Sequence, residues 1–337
     1  MLTVILTILL FMILVIPHEF GHFITAKLCG VQVNEFSVGM GPSLFHKQKG
    51  ETQYSVRLIP LGGYCAMEGE NEETDNPRAF TNKKGWQKLI ILFAGAAMNI
   101  IVANLVMIIA FTVAGNVVNK LAEVTPGGPA DQAGIRAGDV IVAVQDVEVD
   151  TWGETVTEIA KGTVGEPMDI TVRRGGERVT CTVVPEYSED GRLIVGITAS
   201  VSHNPFTCGA SGIQATWDMF KYEIEGFKML FSGKLGREDV AGPVGMVQLV
   251  KETTTTSDGG FSFLFLIALI SLNLAIINLL PLPSLDGGRI LFVIIRKITG
   301  NMISDELEAK VHLIGIILLL MLFVYITWGD IMRLLGR

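Results

Sequence analysis

His18, Glu19 and His22 stand in the run His-Glu-Phe-Gly-His, two imidazoles four residues apart with a carboxylate beside the first. On an α-helix that spacing puts both rings on one face, so their nitrogens can converge on one metal ion. A carboxylate next to such a pair can take a proton from water at the metal without occupying a coordination position, as the general base of a zinc peptidase does. Catalytic zinc takes three protein ligands, so a third must come from elsewhere. Asp286 is the candidate, in Asn278-Leu-Leu-Pro-Leu-Pro-Ser-Leu-Asp286-Gly-Gly-Arg289, where two prolines must interrupt a helix just ahead of the acid. By its own surroundings Asp286 reads as a turn or helix-capping residue before two glycines, and only the pairing with the histidines favours ligation. Asn278 reads equally as a donor to an oxyanion and as a hydrogen bond between spans.

The elements that must position these groups are membrane spans. The chain has 337 residues of which 49% are hydrophobic, with a mean hydropathy of +0.47. Uncharged stretches from Met1 to Ile16, Leu89 to Val113, Phe261 to Leu282 and Leu313 to Trp328 predict four transmembrane helices. The first lacks the basic start and small-residue cleavage site of a signal peptide and is expected to be retained. Its ionisable residues each cost on the order of 2.5–3.5 kcal/mol in hydrocarbon, which argues for a functional return. A polar cluster joining helices, or the ion path of a transporter, would also place such residues in a span. Neither accounts for a carboxylate between two helical imidazoles. Pro17 removes the amide that would bond to Ile13, so a local kink is expected. His18 lies about 16 residues, or roughly 24 Å, along the first span, and Pro281 about 17 residues, or roughly 26 Å, past Leu264 in a span running the same way. Both motifs therefore reach one level near the far edge of a core ~30 Å thick.

Lys27, Lys83, Lys84 and Lys88 flank the shorter loop, which predicts that it faces the cytoplasm and that the longer loop lies on the other side. In the short loop, Ser37 to Pro42 and Ile59 to Tyr64 punctuate the alternating stretch Thr52 to Ile59 with glycines, the signature of a small β-sheet or hairpin. Acidic Glu68 to Asp75 reads as a solvated loop. The long loop predicts a short helix at Pro129 to Ala133 ended by Gly134, a strand at Val140 to Val144, a helix near Trp152 to Ala160, and strands near Met168 to Val172 and Val179 to Val184. This α+β order, with Pro129-Ala-Asp-Gln-Ala-Gly-Ile-Arg-Ala-Gly-Asp-Val140, resembles a PDZ domain over about residues 115–187, a module that adds an extended chain to a sheet edge. Trp217, Phe220, Ile224, Phe227 and Phe231 recur at helical spacing within Phe206 to Leu235, as in an interfacial helix or a plain surface helix. The net charge of −8 argues against nucleic acid as a partner. Cys29, Cys65, Cys181 and Cys208 form no Cys-x-x-Cys pair, so neither a zinc ribbon nor a redox dithiol is expected.

With His18-Glu-Phe-Gly-His22, the Asn278 to Gly287 block, the PDZ-like insertion, Phe93-Ala-Gly-Ala-Ala-Met-Asn99 and Gly242-Pro-Val-Gly245, the whole chain resembles the site-2 protease family of the bacterial RseP and RasP type. The resemblance implies a polytopic α-helical membrane protein with four transmembrane helices, a cytoplasmic membrane-associated β-hairpin or sheet, and an inserted extracytoplasmic α+β PDZ domain. Its divisions are residues 1–114 and 261–337 for the two halves of the membrane core, 115–187 for the PDZ domain and 188–260 for a linker with an amphipathic helix. The implied activity is that of a zinc metalloendopeptidase of the bacterial inner (cytoplasmic) membrane. It cuts single-pass membrane proteins after a first protease has acted, typically anti-sigma factors, and also remnant signal peptides. Zn(2+) would be held by His18, His22 and Asp286, with Glu19 catalytic and the active site toward the cytoplasmic face. Asn99 is implied as a polar residue of the site beside Asn278, for an oxyanion or for positioning substrate. The hairpin at Tyr54, Ser55, Val56, Arg57, Leu58 and Ile59 would grip substrate as an added strand, and the PDZ domain would act as a size filter. Several members carry two PDZ domains, and this chain has room for one.

Overall fold

The computed structural model describes residues 2–70, 74–188, 191–234, 242–256, 258–300 and 305–335. Among them, four helices are long and apolar enough to cross a membrane: α1 (Leu2–Leu28), α2 (Gly85–Ala114), α7 (Gly259–Leu279) and α9 (Asp305–Leu334). The shortest has 21 residues, which at ~1.5 Å per residue matches the hydrocarbon thickness. Leu313, Ile317, Leu320 and Val324 on α9 are exposed, an arrangement stable against lipid and costly in water. α1 continues through Pro17 as a single helix. The lost amide bond does not break it.

Two shorter helices carry no strong mark in the sequence. α6 (Pro243–Thr254) starts at the Gly242-Pro-Val-Gly245 motif with proline in its first turn. The amides of Gly242 and Gly245 donate to the Asp330 carboxylate of α9 at 3.3 and 2.7 Å, so the orphan donors of one helix are satisfied by an acid from another. α8 (Asp286–Thr299) starts at Asp286 and ends on Gly300 at φ 68°, a left-handed C-terminal turn that suits glycine.

The chain divides into two compact units, residues 1–107 with 212–337, and residues 108–211. In the first, β1 (Val33–Lys49) pairs with β2 (Thr52–Met67), and β2 doubles back, so that Glu35 to Val38 lie beside both Gln53 to Val56 and Gly63 to Ala66. The reversal needs Gly39 at φ 85°, where a Cβ would stand 2.6 Å from the Ile59 carbonyl oxygen. Val33, Cys65 and Met67 pack with Ala26 of α1, Ile91 and Leu92 of α2, and Ile290 and Val293 of α8. This core fixes the sheet to the helices that carry the polar motifs.

The second unit holds a sheet in the order β10-β3-β4-β6-β7, formed by β3 (Asn116–Val124), β4 (Val140–Val144), β6 (Met168–Arg174), β7 (Glu177–Val183) and β10 (Ile197–Ser202), with β5 (Val147–Glu148) paired to β4. Met168, Ile170 and Val172 are buried and alternate with outward-facing Asp169 and Arg173, the period of a half-buried strand. α3 is the turn Pro129–Gln132, and α4 (Trp152–Ala160) is closed by a capping box between Thr151 and Glu154. β8 (Glu186–Tyr187) and β9 (Leu193–Ile194) form a small ribbon before β10. β10 thus completes the sheet from beyond residue 187. Asp139 is buried and accepts two bonds from Arg174, at 2.9 and 2.7 Å, and one from the Arg136 amide at 2.9 Å. α5 (Pro205–Phe231) covers the amphipathic stretch as far as it is described, with Trp217 stacked on Phe220. Residues 71–73 of the acidic loop and residue 235 lie outside the described residues. All four cysteines are free thiols.

Candidate active site

His18 and His22 occupy successive turns of α1 and are both buried. Their Nε2 atoms are 3.2 Å apart, and each lies 3.3 Å from Oδ2 of Asp286. Nδ1 of His22 donates to the Ile91 carbonyl at 2.8 Å. A carbonyl can only accept, so the proton sits on Nδ1 and Nε2 turns a lone pair into the cluster. Asp286 Oδ2 is buried and accepts no hydrogen bond among the described residues. A lone pair and an unsatisfied carboxylate oxygen facing one another at this range repel, and a cation between them relieves that repulsion. Ligands ~2.1 Å from a tetrahedral zinc stand about 3.4 Å apart, which is the spacing of these three atoms. The residues fit the ion.

Close helix contact shapes the site. A Cβ on Gly21 would lie 2.4 Å from the Ala94 carbonyl oxygen, and one on Gly95 would lie 2.3 Å from His22 Nε2 and 2.6 Å from His18 Cε1. Only a residue without a side chain lets α2 pass against both rings. Ile91, Gly95 and Asn99 share one face of α2 at four-residue intervals. The first holds His22, the second makes room for both rings, and Asn99 brings Nδ2 to 3.4 Å from His18 Nδ1. Asn278, near the end of α7, places Nδ2 3.4 and 3.5 Å from the two nitrogens of the His18 ring.

Asp286 is delivered by a tight reversal between α7 and α8. Ser284 takes φ 73°, and its amide donates to Nδ1 of His312 on α9 at 2.8 Å. A Cβ on Gly287 would stand 2.3 Å from the Leu280 carbonyl oxygen, and one on Gly288 2.2 Å from that of Leu282. The two glycines after the acid are therefore what allows α8 to start so close to the end of α7.

A pocket of about 540 Å³ opens onto these groups, lined by His18, Glu19, His22, Asn278 and Asp286 together with β2 from Gly62 to Met67. A Cβ on Gly63 would stand 3.7 Å from Cγ of Glu19. Residues 54–59 are placed elsewhere. Tyr54 packs on Phe23 and Phe36, Ser55 and Arg57 bind Glu35, and Val56, Leu58 and Ile59 are exposed. The site residues that sequence reasoning missed are Gly95, the Ile91 carbonyl and Gly62 to Met67. The small run Ala-Gly-Ala-Ala in an apolar span was the available signal, since small residues mark close helix approach.

Residues 6–322 match Peptidase family M50. The chain is 36% identical to a candidate zinc metalloprotease of Clostridium acetobutylicum over 332 residues, covering 97% of each chain. It is 31% identical to the zinc metalloprotease RasP of Oceanobacillus iheyensis, covering 99% of this chain and 100% of the relative. To the regulator of sigma-W protease RasP of Bacillus subtilis it is 28% identical, covering 98% and 99%. The solved PDZ domain of an SdrC-like protein from Listeria monocytogenes matches 25% of this chain and 86% of its own, with 22% identity and a TM-score of 0.22. With a family match across nearly its whole length, the chain belongs to Peptidase family M50 and is a zinc metalloprotease of the site-2 type.

Proposed function

We propose that this protease cuts single-pass membrane proteins within or beside their transmembrane segment, with zinc held by His18, His22 and Asp286 and the proton moved by Glu19. The observation that carries the proposal is where the cluster sits: two of its ligand atoms project from a helix of membrane-spanning length. Bound there, zinc supplies Lewis-acid activation of water and of the scissile carbonyl. Glu19 takes a proton from the attacking water and returns it to the leaving nitrogen, so that water and one peptide bond become a carboxylic acid and an amine, which then share the remaining proton as carboxylate and ammonium. Asn278 donates from Nδ2 to the carbonyl oxygen as charge develops on it. A transmembrane helix keeps its carbonyls in internal hydrogen bonds and must be drawn out before it can be cut. The segment Gly62 to Met67, paired to β1 on one side and lining the pocket on the other, is the edge on which the extended substrate is held as an added strand.

Lys27, Lys83, Lys84 and Lys88 support a cytoplasmic position for the β1–β2 loop in a bacterial cytoplasmic membrane, with the PDZ-like residues 115–187 extracytoplasmic as a size filter. The name of the Bacillus subtilis relative, regulator of sigma-W protease, supports anti-sigma-factor-like substrates, and remnant signal peptides are single-span segments of the same kind. The test is the purified Glu19→Gln variant with a single-span substrate. It is expected to keep one zinc per chain and to lose at least ~100-fold in turnover, the scale of general-base catalysis. Turnover at the wild-type rate would remove Glu19 from the reaction.

A further inference from the structure

Asn99 is fully buried on α2, one turn beyond Gly95, and lies outside the lining of the pocket that His18 borders. One atom of its amide lies 3.4 Å from His18 Nδ1, and the other, Oδ1, is buried with no hydrogen-bond partner among the described residues. Amide oxygen and nitrogen are nearly the same size, so turning the group over sets Oδ1 opposite Nδ1 and removes the orphaned acceptor. We propose that Asn99 is a positioning residue: its Oδ1 accepts the Nδ1 proton of His18, which fixes the ring with the Nε2 lone pair toward His22 and Asp286.

Three observations support this assignment. The partner ring is held in the same manner, because His22 Nδ1 donates to the Ile91 carbonyl, and Ile91 and Asn99 lie on one face of α2. A single helix thus supplies one acceptor to each imidazole, the arrangement by which outer groups set the tautomer of metal-ligating histidines. The backbone at Asn99 is itself anchored, since Ser271 of α7 donates to its carbonyl at 2.9 Å and both residues are buried. Asn278 does not serve equally well. Its Nδ2 is 3.5 Å from Nδ1 and 3.4 Å from Nε2, so it lies across the ring edge, and it lines the pocket that receives substrate.

The inference rests on His18 being a zinc ligand, and the experiment separates the two. Full-length wild type, Asn99→Leu and Asn99→Asp are purified, their helical content is compared, and zinc affinity is measured by competition with a chromophoric chelator. The visible spectrum of the cobalt-substituted forms is recorded alongside. Leu matches Asn in shape and has no acceptor, whereas Asp retains one. Asn99→Leu is expected to bind zinc 10–100-fold more weakly with a changed cobalt spectrum, the range for loss of a group that orients a ligand. Asn99→Asp is expected to recover the wild-type affinity and spectrum. Wild-type zinc affinity and spectrum in Asn99→Leu, or an Asp variant as impaired as the Leu one, would overturn the assignment. Histidine ¹⁵N resonances of zinc-loaded wild type give a reading that needs no variant: a Nδ1-protonated His18 supports it and a Nε2-protonated His18 overturns it. A wild-type protein that takes up no zinc overturns the metal reading as well.

Discussion

Replacing Gly95 by alanine adds one methyl group where the structure has no place for it. The new carbon would stand 2.3 Å from His22 Nε2 and 2.6 Å from His18 Cε1, both well inside ordinary contact, which begins at 3.4 Å. Metal–ligand distances tolerate deviations of only about 0.2 Å, so a ring displaced by the missing distance no longer reaches the ion. The alternative is for α2 to withdraw, and that stretches the 2.8 Å bond from His22 to the Ile91 carbonyl and opens the contact of Gly21 with Ala94. Overpacking of this kind costs roughly 1–3 kcal/mol of stability. The larger effect is on the metal: both rings are disturbed, so zinc affinity is expected to fall by ~100-fold or more, the upper end of the range for outer-shell changes. Competition with a chelator on detergent-purified protein measures this directly. Gly226→Ala on α5, where nothing lies within 4 Å of the added carbon, is the matched control and is expected to bind zinc as wild type does. A Gly95→Ala protein with wild-type zinc affinity would refute the claim that α2 packs against the ligand rings.

Two other substitutions probe the scaffold. Arg174→Met strands the buried Asp139 carboxylate and is expected to destabilise residues 108–211 by on the order of 3 kcal/mol, seen as faster hydrogen exchange across β4 and β6 in the full chain. In the wild type, the Arg174 hydrogen bonds hold the Asp139 carboxyl below the usual carboxylate range. A depressed folded-state value gives a contribution complete above about pH 4 and lost as pH falls through that value. The variant should therefore show a flatter acid dependence, and an unchanged one would remove the pair from the account. Asp330→Leu takes away the acceptor at the start of α6 and is expected to cost about 1–2 kcal/mol there, with faster amide exchange in the first turn of α6 than in α7.

What could be read in the sequence was what side-chain type and period record. The four apolar stretches and the His18-Glu19-His22 spacing both carry such marks, and so did the alternating strands from Val140 to Val183. Three features escaped for a common physical reason. Gly95 acts by lacking a side chain, and Ile91 acts through a carbonyl that every residue has. The approach of Gly62 to Met67 to the pocket depends on a reversal within β2, which alternation cannot reveal because a doubled-back strand has the same period as a straight one. The start of α8 was legible only as one of two readings of Asp286, a turn or a helix cap, because the prolines before it mark the end of α7 and say nothing of a helix restarting within a few residues. Asp286, ambiguous as a local sequence, stands 3.3 Å from both histidines because of that restart.

The three side chains proposed to hold zinc come from opposite ends of the chain, two from α1 and one from the first residue of α8. Synthesis at roughly 5–20 residues per second leaves tens of seconds between the emergence of His22 and that of Asp286. Through that interval the nascent protein displays two imidazoles and a carboxylate inside a span but cannot close the cluster. A chain stalled or truncated before Asp286 can hold its first helices without the third member of the cluster, and the order of the segments thereby guards the membrane against a half-built enzyme.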